Sequence, residues 1–240
     1  MGKTAGKKST QTQGMLAFHR DGKHGGARPG AGRPRKKDSE RGFVPHTARP
    51  EHKGRHPVHI TVRQRRSMRS FRGRKAYAKI LECFAKGGER FGFRLIHFSV
   101  QASHLHLICE AEDRKAMSRG LQGLLVRIAK AMNKLWGRRG SVFRDRYHEE
   151  VLETPRQVRN ALLYVLNNLW RHIGSYSPRN AVHGLDPMAS GRWFDGWIVR
   201  PAFTDAAPDP PVAEATTWLL RVGWRRHGLL HQRAVPKGNR

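Results

Sequence analysis

The stretch QASHLHLICE, residues 101–110, contains two histidines that are separated by one leucine and followed by an apolar run. Successive side chains of a β-strand point to opposite faces of a sheet, so His104 and His106 should share one face and Leu105 and Leu107 the other. Two imidazoles on one face of a rigid strand can bind one divalent cation, although such a site needs further ligands. The alternative, from these residues alone, is a half-buried strand whose histidines lie on its polar face.

The sequence upstream of the histidines predicts two more strands and a helix. Residues 93–100, FRLIHFSV, form a strand pattern, and the short break at residues 101–103 favours an antiparallel hairpin with the histidine strand. Residues 57–63, PVHITVR, alternate between apolar and polar side chains, which is typical of a half-buried strand. A helix is predicted over about residues 73–90, and its apolar face consists of Tyr77, Ile80, Leu81 and Phe84.

The sequence downstream of the histidines predicts a second long helix and a fourth strand. Residues 114–136 carry leucine, isoleucine and methionine at helical spacing, and a glycine follows the last of them. Residues 142–152 have a strand pattern. The order strand, helix, strand, strand, helix, strand predicts an α+β fold with a ferredoxin-like antiparallel sheet and helices packed on it.

A third helix, predicted over residues 154–171, carries a tyrosine and an asparagine four positions apart. Thr154 and Gln157 have the spacing of a capping box at its start. Tyr164 and Asn168 should lie one helical turn apart on the edge of the apolar face. They could therefore reach the same small site, or the tyrosine could lie at the core edge with its hydroxyl in water and the asparagine be solvated.

The charge of the chain points to a nucleic acid as partner. Lysine and arginine number 47 against 18 acidic residues, which gives a formal net charge of +29. Such a surface is typical of proteins that neutralise phosphates. Two cysteines are too few for a disulfide framework, which favours a reducing compartment. With no apolar run near the roughly 18–20 residues of a membrane span and no secretory signal, we expect a cytoplasmic, nucleoid-associated protein without membrane contact.

Composition divides the chain into three parts. Residues 1–55 are rich in glycine, proline and basic side chains and lack hydrophobic periodicity, so we expect a disordered basic arm. Residues 56–175 hold the predicted sheet and its three helices. Residues 176–240 form a C-terminal accessory extension, with aromatic side chains near residues 193–197 and a short helix predicted over residues 213–227. This extension either packs on the domain or contacts DNA.

Taken together, these motifs resemble one family, the single-tyrosine HUH transposases, and within it the REP-associated tyrosine transposases. The resemblance covers about residues 57–175, and its carriers are SHLHL at 103–107, VFRDRYH at 142–148 and YVLNNLWR at 164–171. In that family, a glutamine or asparagine four residues after the tyrosine shares a metal ion with the two histidines. Relatives often have a proline where this chain has Leu169, so here the helix should be free to continue.

The resemblance implies a chemistry and a set of site residues. His104, His106 and Asn168 would bind Mg²⁺ or Mn²⁺, and Tyr164 would be the nucleophile. The reaction would be metal-dependent cleavage and strand transfer of single-stranded DNA, in a hairpin or repeat, through a 5′-phosphotyrosine intermediate. The protein would act as a monomer or a homodimer. His148 and Glu149 are candidates for the proton acceptor only because they are close in sequence.

Six arginines are candidate DNA contacts, because phosphate binding combined with aromatic stacking is typical of single-strand recognition. They are Arg119, Arg127, Arg138, Arg139, Arg144 and Arg146. Tyr147 is the rival nucleophile, but its position between Arg146 and His148 favours base stacking or a place along the substrate channel. Two other functions fit the same residues: a non-catalytic basic nucleic-acid-binding protein on this fold, and a zinc-type hydrolase that forms no covalent adduct.

Overall fold

The computed structural model describes residue 49 and residues 51–168, 185–201 and 208–234. Its longer helices and its strands follow one another in the order that the sequence predicts, with one additional two-residue strand. In chain order the elements are β1 Val58–Arg63, α1 Arg74–Gly87, β2 Glu89–Arg90, β3 Phe93–Val100, β4 His104–Ala111, α2 Arg114–Trp136, β5 His148–Val151, α3 Pro155–Leu166 and α4 Trp218–Arg221.

The strands form one antiparallel sheet in the order β2-β3-β4-β1-β5. Without the short β2, this order and the chain sequence β1-α1-β3-β4-α2-β5 are those of the ferredoxin-like fold, which confirms the predicted fold class. The predicted hairpin of β3 and β4 is also present, with Val100 opposite Leu105. In the central pair, Thr61 lies opposite His106 and Arg63 opposite His104.

Helices α1 and α2 cover one face of the sheet. The leucines that flank the second histidine, Leu105 and Leu107, are fully buried there with Ile80 and Phe84 of α1 and Leu121 of α2. Both helices end at a glycine, which confirms the prediction for α2. Gly137 caps α2 with the left-handed φ of 63° that glycine adopts without strain.

Helix α3 packs on the opposite face of the sheet. Its apolar side, which includes Val158 and Leu162, contacts Ile108 of β4. The capping box at Thr154 is present as predicted. The prediction that the helix continues to residue 171 is wrong at its end, because α3 stops at Leu166 with Asn167 as its cap. The part of the predicted helix from residue 169 onward lies outside the described residues.

The fourth predicted strand is shorter than its pattern suggests. Only His148–Val151 pairs with β1 along a ladder, whereas residues 142–147 form a loop that makes one isolated bridge, between Gln64 and Phe143. The Asp145 carboxylate accepts a hydrogen bond from the next backbone amide at 2.7 Å. Such a local side-chain bond competes with strand pairing, and the alternating pattern alone does not reveal it.

The described part of the C-terminal extension packs back on α3. Trp197, Leu220 and Trp224 are buried in the same core as the apolar side of that helix. The helix predicted over residues 213–227 is wrong in extent: α4 has four residues and is followed by a 3-10 helix at Gly223–His227. The chain before α4 is extended, because the Ala213 backbone amide donates to the Leu95 carbonyl and Thr217 is the N-cap of the helix.

Little of the predicted N-terminal arm lies within the described residues. His52 is buried, and its Nε2 lies 3.0 Å from the carbonyl oxygen of Ala111. Gly54 approaches the backbone of Glu112 so closely that a Cβ atom there would lie 2.7 Å from its carbonyl oxygen. Residues 51–55 therefore pack against the end of β4. Within the described ranges, no helix is long and apolar enough to cross a membrane.

Candidate active site

The two histidines of the HLH motif lie side by side at the start of β4. Their ring centroids are 4.7 Å apart and their planes are perpendicular. His106 is only 3% exposed, whereas His104 is partly exposed next to the turn that precedes the strand. The prediction that both point away from the leucine core is confirmed, since that core lies on the α1 and α2 face.

Tyr164 belongs to α3, the helix that covers the histidine face of the sheet, and its ring contacts His106. Its hydroxyl oxygen lies 3.5 Å from Nε2 of His106, and the two rings meet edge to face with centroids 4.9 Å apart. The helix holds this position because Val165 and Leu166, the next residues, are fully buried in the core between α3 and the sheet. A phenol and two imidazoles therefore converge between α3 and β4.

A third histidine, His59, was not predicted from the sequence as part of the site and lies behind His106. His59 of β1 places its Nε2 3.2 Å from Nδ1 of His106, and the Thr61 hydroxyl lies at the same distance from that nitrogen. On its far side, Nδ1 of His59 lies 3.8 Å from the Glu150 carboxylate. The nearby imidazole of His59 lowers the pKa of Glu150. Nδ1 of His106 thus faces these partners, and Nε2 faces Tyr164.

The position of His59 could have been found in the sequence only by knowing the strand register. Side chains two residues apart in a strand point to the same face of the sheet. Thr61 lies opposite His106, so His59 and Thr61 both face the site. The sequence shows the alternation in β1 but not which strand lies next to β4.

Asn168, the other predicted site residue, follows the end of α3. Its side chain is 0% exposed, and among the described residues neither its amide oxygen nor its amide nitrogen has a hydrogen-bond partner. Leaving a buried polar group unpaired costs about 1–3 kcal/mol, so such a group needs an explanation. In its neighbour Asn167 the amide nitrogen donates to the carbonyl oxygens of His231 and Ala234, whereas the amide oxygen likewise has no partner among the described residues.

The donor types of His104, His106 and Asn168 are compatible with the divalent cation that the family resemblance implies. In the described part of the chain, no three side chains from His, Cys, Asp and Glu are grouped to hold a metal ion. A ligand set on His104 and His106 would therefore need a donor of another type. The amide oxygen of Asn168, which has no partner among the described residues, is a donor of that type, and amide oxygens suit Mg²⁺ and Mn²⁺.

The rival nucleophiles are engaged elsewhere. Tyr147 packs with the core of α1 and α2, and the guanidinium carbon of Arg49 lies 3.7 Å from its ring centroid. Tyr77 donates its hydroxyl to the Pro187 carbonyl, and burial raises its pKa. Both thiols are buried, and burial raises the pKa of each of them as well. Tyr176 lies outside the described residues.

The two predicted proton acceptors differ in position. Glu149 lies opposite Ile60, a residue of the α1 and α2 core, and its carboxylate pairs with Arg49 at 2.7 Å and Arg114 at 3.0 Å. It therefore faces away from Tyr164. His148 lies opposite Thr61 on the site face and is exposed.

The six predicted DNA contacts do not form one surface. Arg119 is exposed on α2, one residue before Gly120, which abuts Phe93 at the far end of the sheet from His104. Arg127 is partly buried against Gly87 of α1.

The other four arginines lie at the end of the sheet where His104 lies. Arg138 is held by its own loop, because it donates to the carbonyl oxygens of Arg139 and Ser141. Arg139 is exposed, whereas Arg144 and Arg146 are partly buried. The Arg144 backbone amide donates to the Arg63 carbonyl, which brings this loop to the end of β1.

No protein-family model and no curated protein matches this chain. Its structure is similar to a solved structure of a REP-associated tyrosine transposase bound to a REP hairpin, with a TM-score of 0.50 and 14% sequence identity. The match covers 72% of this chain and 99% of the other. At that identity the similarity establishes the fold, and the resemblance to REP-associated tyrosine transposases drawn from the sequence motifs is confirmed at that level.

Proposed function

We propose that this protein cleaves and rejoins single-stranded DNA at a hairpin or repeat, using Tyr164 as the nucleophile and a Mg²⁺ or Mn²⁺ ion held by His104, His106 and Asn168. One observation carries the proposal: the Tyr164 hydroxyl lies 3.5 Å from Nε2 of His106, although the two residues are 58 positions apart in the chain. Packing at the edge of the core does not require the phenol oxygen to approach an imidazole nitrogen, so this contact supports a shared site.

The reaction exchanges one phosphate ester for another. The Tyr164 phenol loses its proton, and its oxygen attacks the phosphorus of a phosphodiester. The bond from phosphorus to the 3′ oxygen breaks, and that oxygen leaves as a free 3′-hydroxyl after gaining a proton. The protein then carries a 5′-phosphotyrosine. Attack by a 3′-hydroxyl reverses the exchange, so rejoining needs no ATP, because the ester is retained in the covalent intermediate.

The residues around Tyr164 have separate tasks in this scheme. A bound divalent cation would supply charge neutralisation and orientation at the scissile phosphate. His59 and Thr61 hold the ring of His106 from its Nδ1 side, and α3 holds the phenol against the site. The edge-to-face contact of the two rings further restricts the phenol to one side of the imidazole.

Covalent trapping tests the proposal. The full chain is incubated with a hairpin DNA that has a single-stranded flank and a label at its 3′ end, in the presence of Mn²⁺, and is then denatured. We expect label to remain on the protein for the wild type and for Tyr147→Phe, and to be absent for Tyr164→Phe. A label at the 5′ end should be released on the fragment that carries the 3′-hydroxyl.

The other two functions predict different outcomes of the same experiment. Binding without cleavage indicates a non-catalytic nucleic-acid-binding protein, and cleavage without adduct indicates hydrolysis by a metal-bound water. Either outcome would overturn the proposal. His104→Ala and His106→Ala should abolish cleavage and leave DNA affinity nearly unchanged, since phosphate contacts supply most of that affinity. Full cleavage by both variants across a range of Mn²⁺ concentrations would remove the metal assignment.

A further inference from the structure

The loop between β1 and α1 is the most basic exposed segment near the candidate active site. From Arg63 to Lys75 the sequence reads RQRRSMRSFRGRK, with seven cations and no acidic residue. Arg63, Arg65, Arg66 and Arg69 are all exposed. None of the carboxylates in the described ranges forms an ion pair with any of these four. Arg72 is different, because it makes a bidentate pair with the buried Asp186.

This loop is fixed to the turn that carries the first histidine. Gln64 donates its backbone amide to Ser103 and its side-chain amide to Ala102, and the Phe71 backbone amide also donates to Ala102. Phe71 is fully buried and stacks on Trp136. The loop is therefore preorganised around residues 101–103, which lead directly into His104.

The backbone turns the arginines outward. Ser67 adopts a left-handed φ of 65°, an unusual conformation for a non-glycine residue. Met68, the next residue, turns inward onto the core, where the Arg138 guanidinium lies 3.1 Å from its sulfur. Arg65 and Arg66 precede this turn and Arg69 follows it, so the three guanidinium groups remain at the surface while the loop is anchored beneath them.

The first cation of the segment is next to the site itself. Arg63 lies directly opposite His104 in the sheet, on the same face as the histidine pair. A phosphate held at the histidines would thus have Arg63 beside it and the rest of the loop beyond. Electrostatic attraction along such a path guides a phosphate backbone without reading its sequence.

We propose that Arg63, Arg65, Arg66 and Arg69 form an arginine collar that binds the phosphates of single-stranded DNA flanking the scissile phosphate. The inference rests on the proposed function for the identity of the nucleic acid, but it concerns binding and not cleavage. The collar differs from the six arginines expected from the sequence, and it assigns strand guidance to an anchored loop.

The test compares two triple variants that lose the same charge. Arg65→Gln/Arg66→Gln/Arg69→Gln removes the outer collar and leaves Arg63, which lies against the site. Lys86→Gln/Arg90→Gln/Lys115→Gln removes three exposed cations on α1, β2 and α2, at the other end of the sheet. Binding of the full chain to a fluorescent hairpin with a single-stranded flank is measured in EDTA over a series of salt concentrations. Circular dichroism verifies that both variants are folded.

The collar variant should lose affinity, and the slope of log affinity against log salt should become shallower by about 2, since each lost single-strand phosphate contact removes about 0.7. The control triple should keep a slope close to that of the wild type. Equal slopes in the two variants, or an unchanged slope in the collar variant, would overturn the inference. Cleavage is not measured, so failure here is distinct from failure to trap an adduct, which concerns the proposed function.

Discussion

At the scale of single residues, the candidate site depends on which nitrogen of His106 faces which partner. Its Nε2 points towards Tyr164 and its Nδ1 towards His59 and Thr61. A histidine that binds metal through one ring nitrogen usually donates the proton on the other to a nearby acceptor, which fixes the tautomer and the ring orientation. Nε2 of His59 can accept that proton while its Nδ1 donates towards Glu150.

We therefore predict that His59→Leu weakens Mn²⁺ binding roughly 10- to 100-fold, the usual effect of losing such an outer partner. His59→Gln, which keeps a hydrogen-bond acceptor and a donor, should recover much of the affinity. Isothermal titration calorimetry of the DNA-free protein with Mn²⁺ measures the metal affinity of each variant independently of activity. Equal Mn²⁺ affinity in the wild type and His59→Leu would show that His59 does not position His106.

At the scale of elements, close packing between α2 and the sheet depends on one glycine. A Cβ atom at Gly120 would lie 2.2 Å from Cβ and 2.3 Å from Cγ of Phe93, which is fully buried in β3. Gly123 is on the same helix, but no described atom lies within 4 Å of a Cβ atom placed there. Two glycines in one helix thus have opposite roles.

Gly120→Ala should destabilise the protein by roughly 1–3 kcal/mol, because the helix must move away from the sheet to admit the methyl group. Gly123→Ala should instead stabilise it by roughly 0.5–1 kcal/mol, because alanine is the better helix former. Urea unfolding of the two variants and the wild type gives both free energies. A loss of stability in Gly123→Ala comparable to that in Gly120→Ala would contradict this packing.

The sequence predicts the elements of this fold well where their signals are local. The bounds of α2 and β3, the capping box at Thr154 and the hairpin at residues 101–103 follow from periodicity, caps and turn length. The exceptions depend on contacts between distant residues. The strand over 142–147 is replaced by a loop held to the end of β1. The helix predicted over 213–227 begins only at Trp218, because the residues before it bind Leu95 of β3 and Glu110 of β4.

The same distinction applies to the candidate site. His104, His106 and Tyr164 could be selected from local spacing together with a family resemblance, and the structure brings the phenol to His106. His59 and the arginine collar could not, because their relation to the site arises from the register of β1 against β4 and from a loop wrapped around the β3–β4 turn.

At the scale of the whole molecule, a buried carboxylate attaches the C-terminal extension to the sheet. Glu110 of β4 is 0% exposed, on the side of the sheet that α3 covers. It accepts hydrogen bonds from the backbone amides and the hydroxyls of Thr216 and Thr217, at 2.7 to 2.9 Å. Thr217 in turn caps α4. The extension therefore docks through a charged acceptor as well as through its aromatic side chains.

Glu110→Gln should destabilise the protein by on the order of 2–3 kcal/mol, because it replaces a charged acceptor of several hydrogen bonds with an amide whose nitrogen faces donors. Glu112→Gln, at an exposed position after the same strand, is the control and should change stability by less than about 0.5 kcal/mol. Urea unfolding gives the free energies, and limited trypsin digestion should cut the extension of Glu110→Gln sooner at Arg221 and Arg225. Identical digestion of both variants would show that Glu110 does not hold the extension.

In the proposed reaction Tyr164 becomes covalently attached to DNA, and mass spectrometry of the trapped adduct identifies the attached residue. Trypsin releases Tyr164 in the peptide of residues 160–171 and Tyr147 in the peptide of residues 147–156, each with a single tyrosine. After the bound DNA is digested to a nucleotide, the account predicts a phosphotyrosine-linked nucleotide on peptide 160–171. The same mass on peptide 147–156, or no modified peptide from protein that has cleaved its DNA, would contradict it.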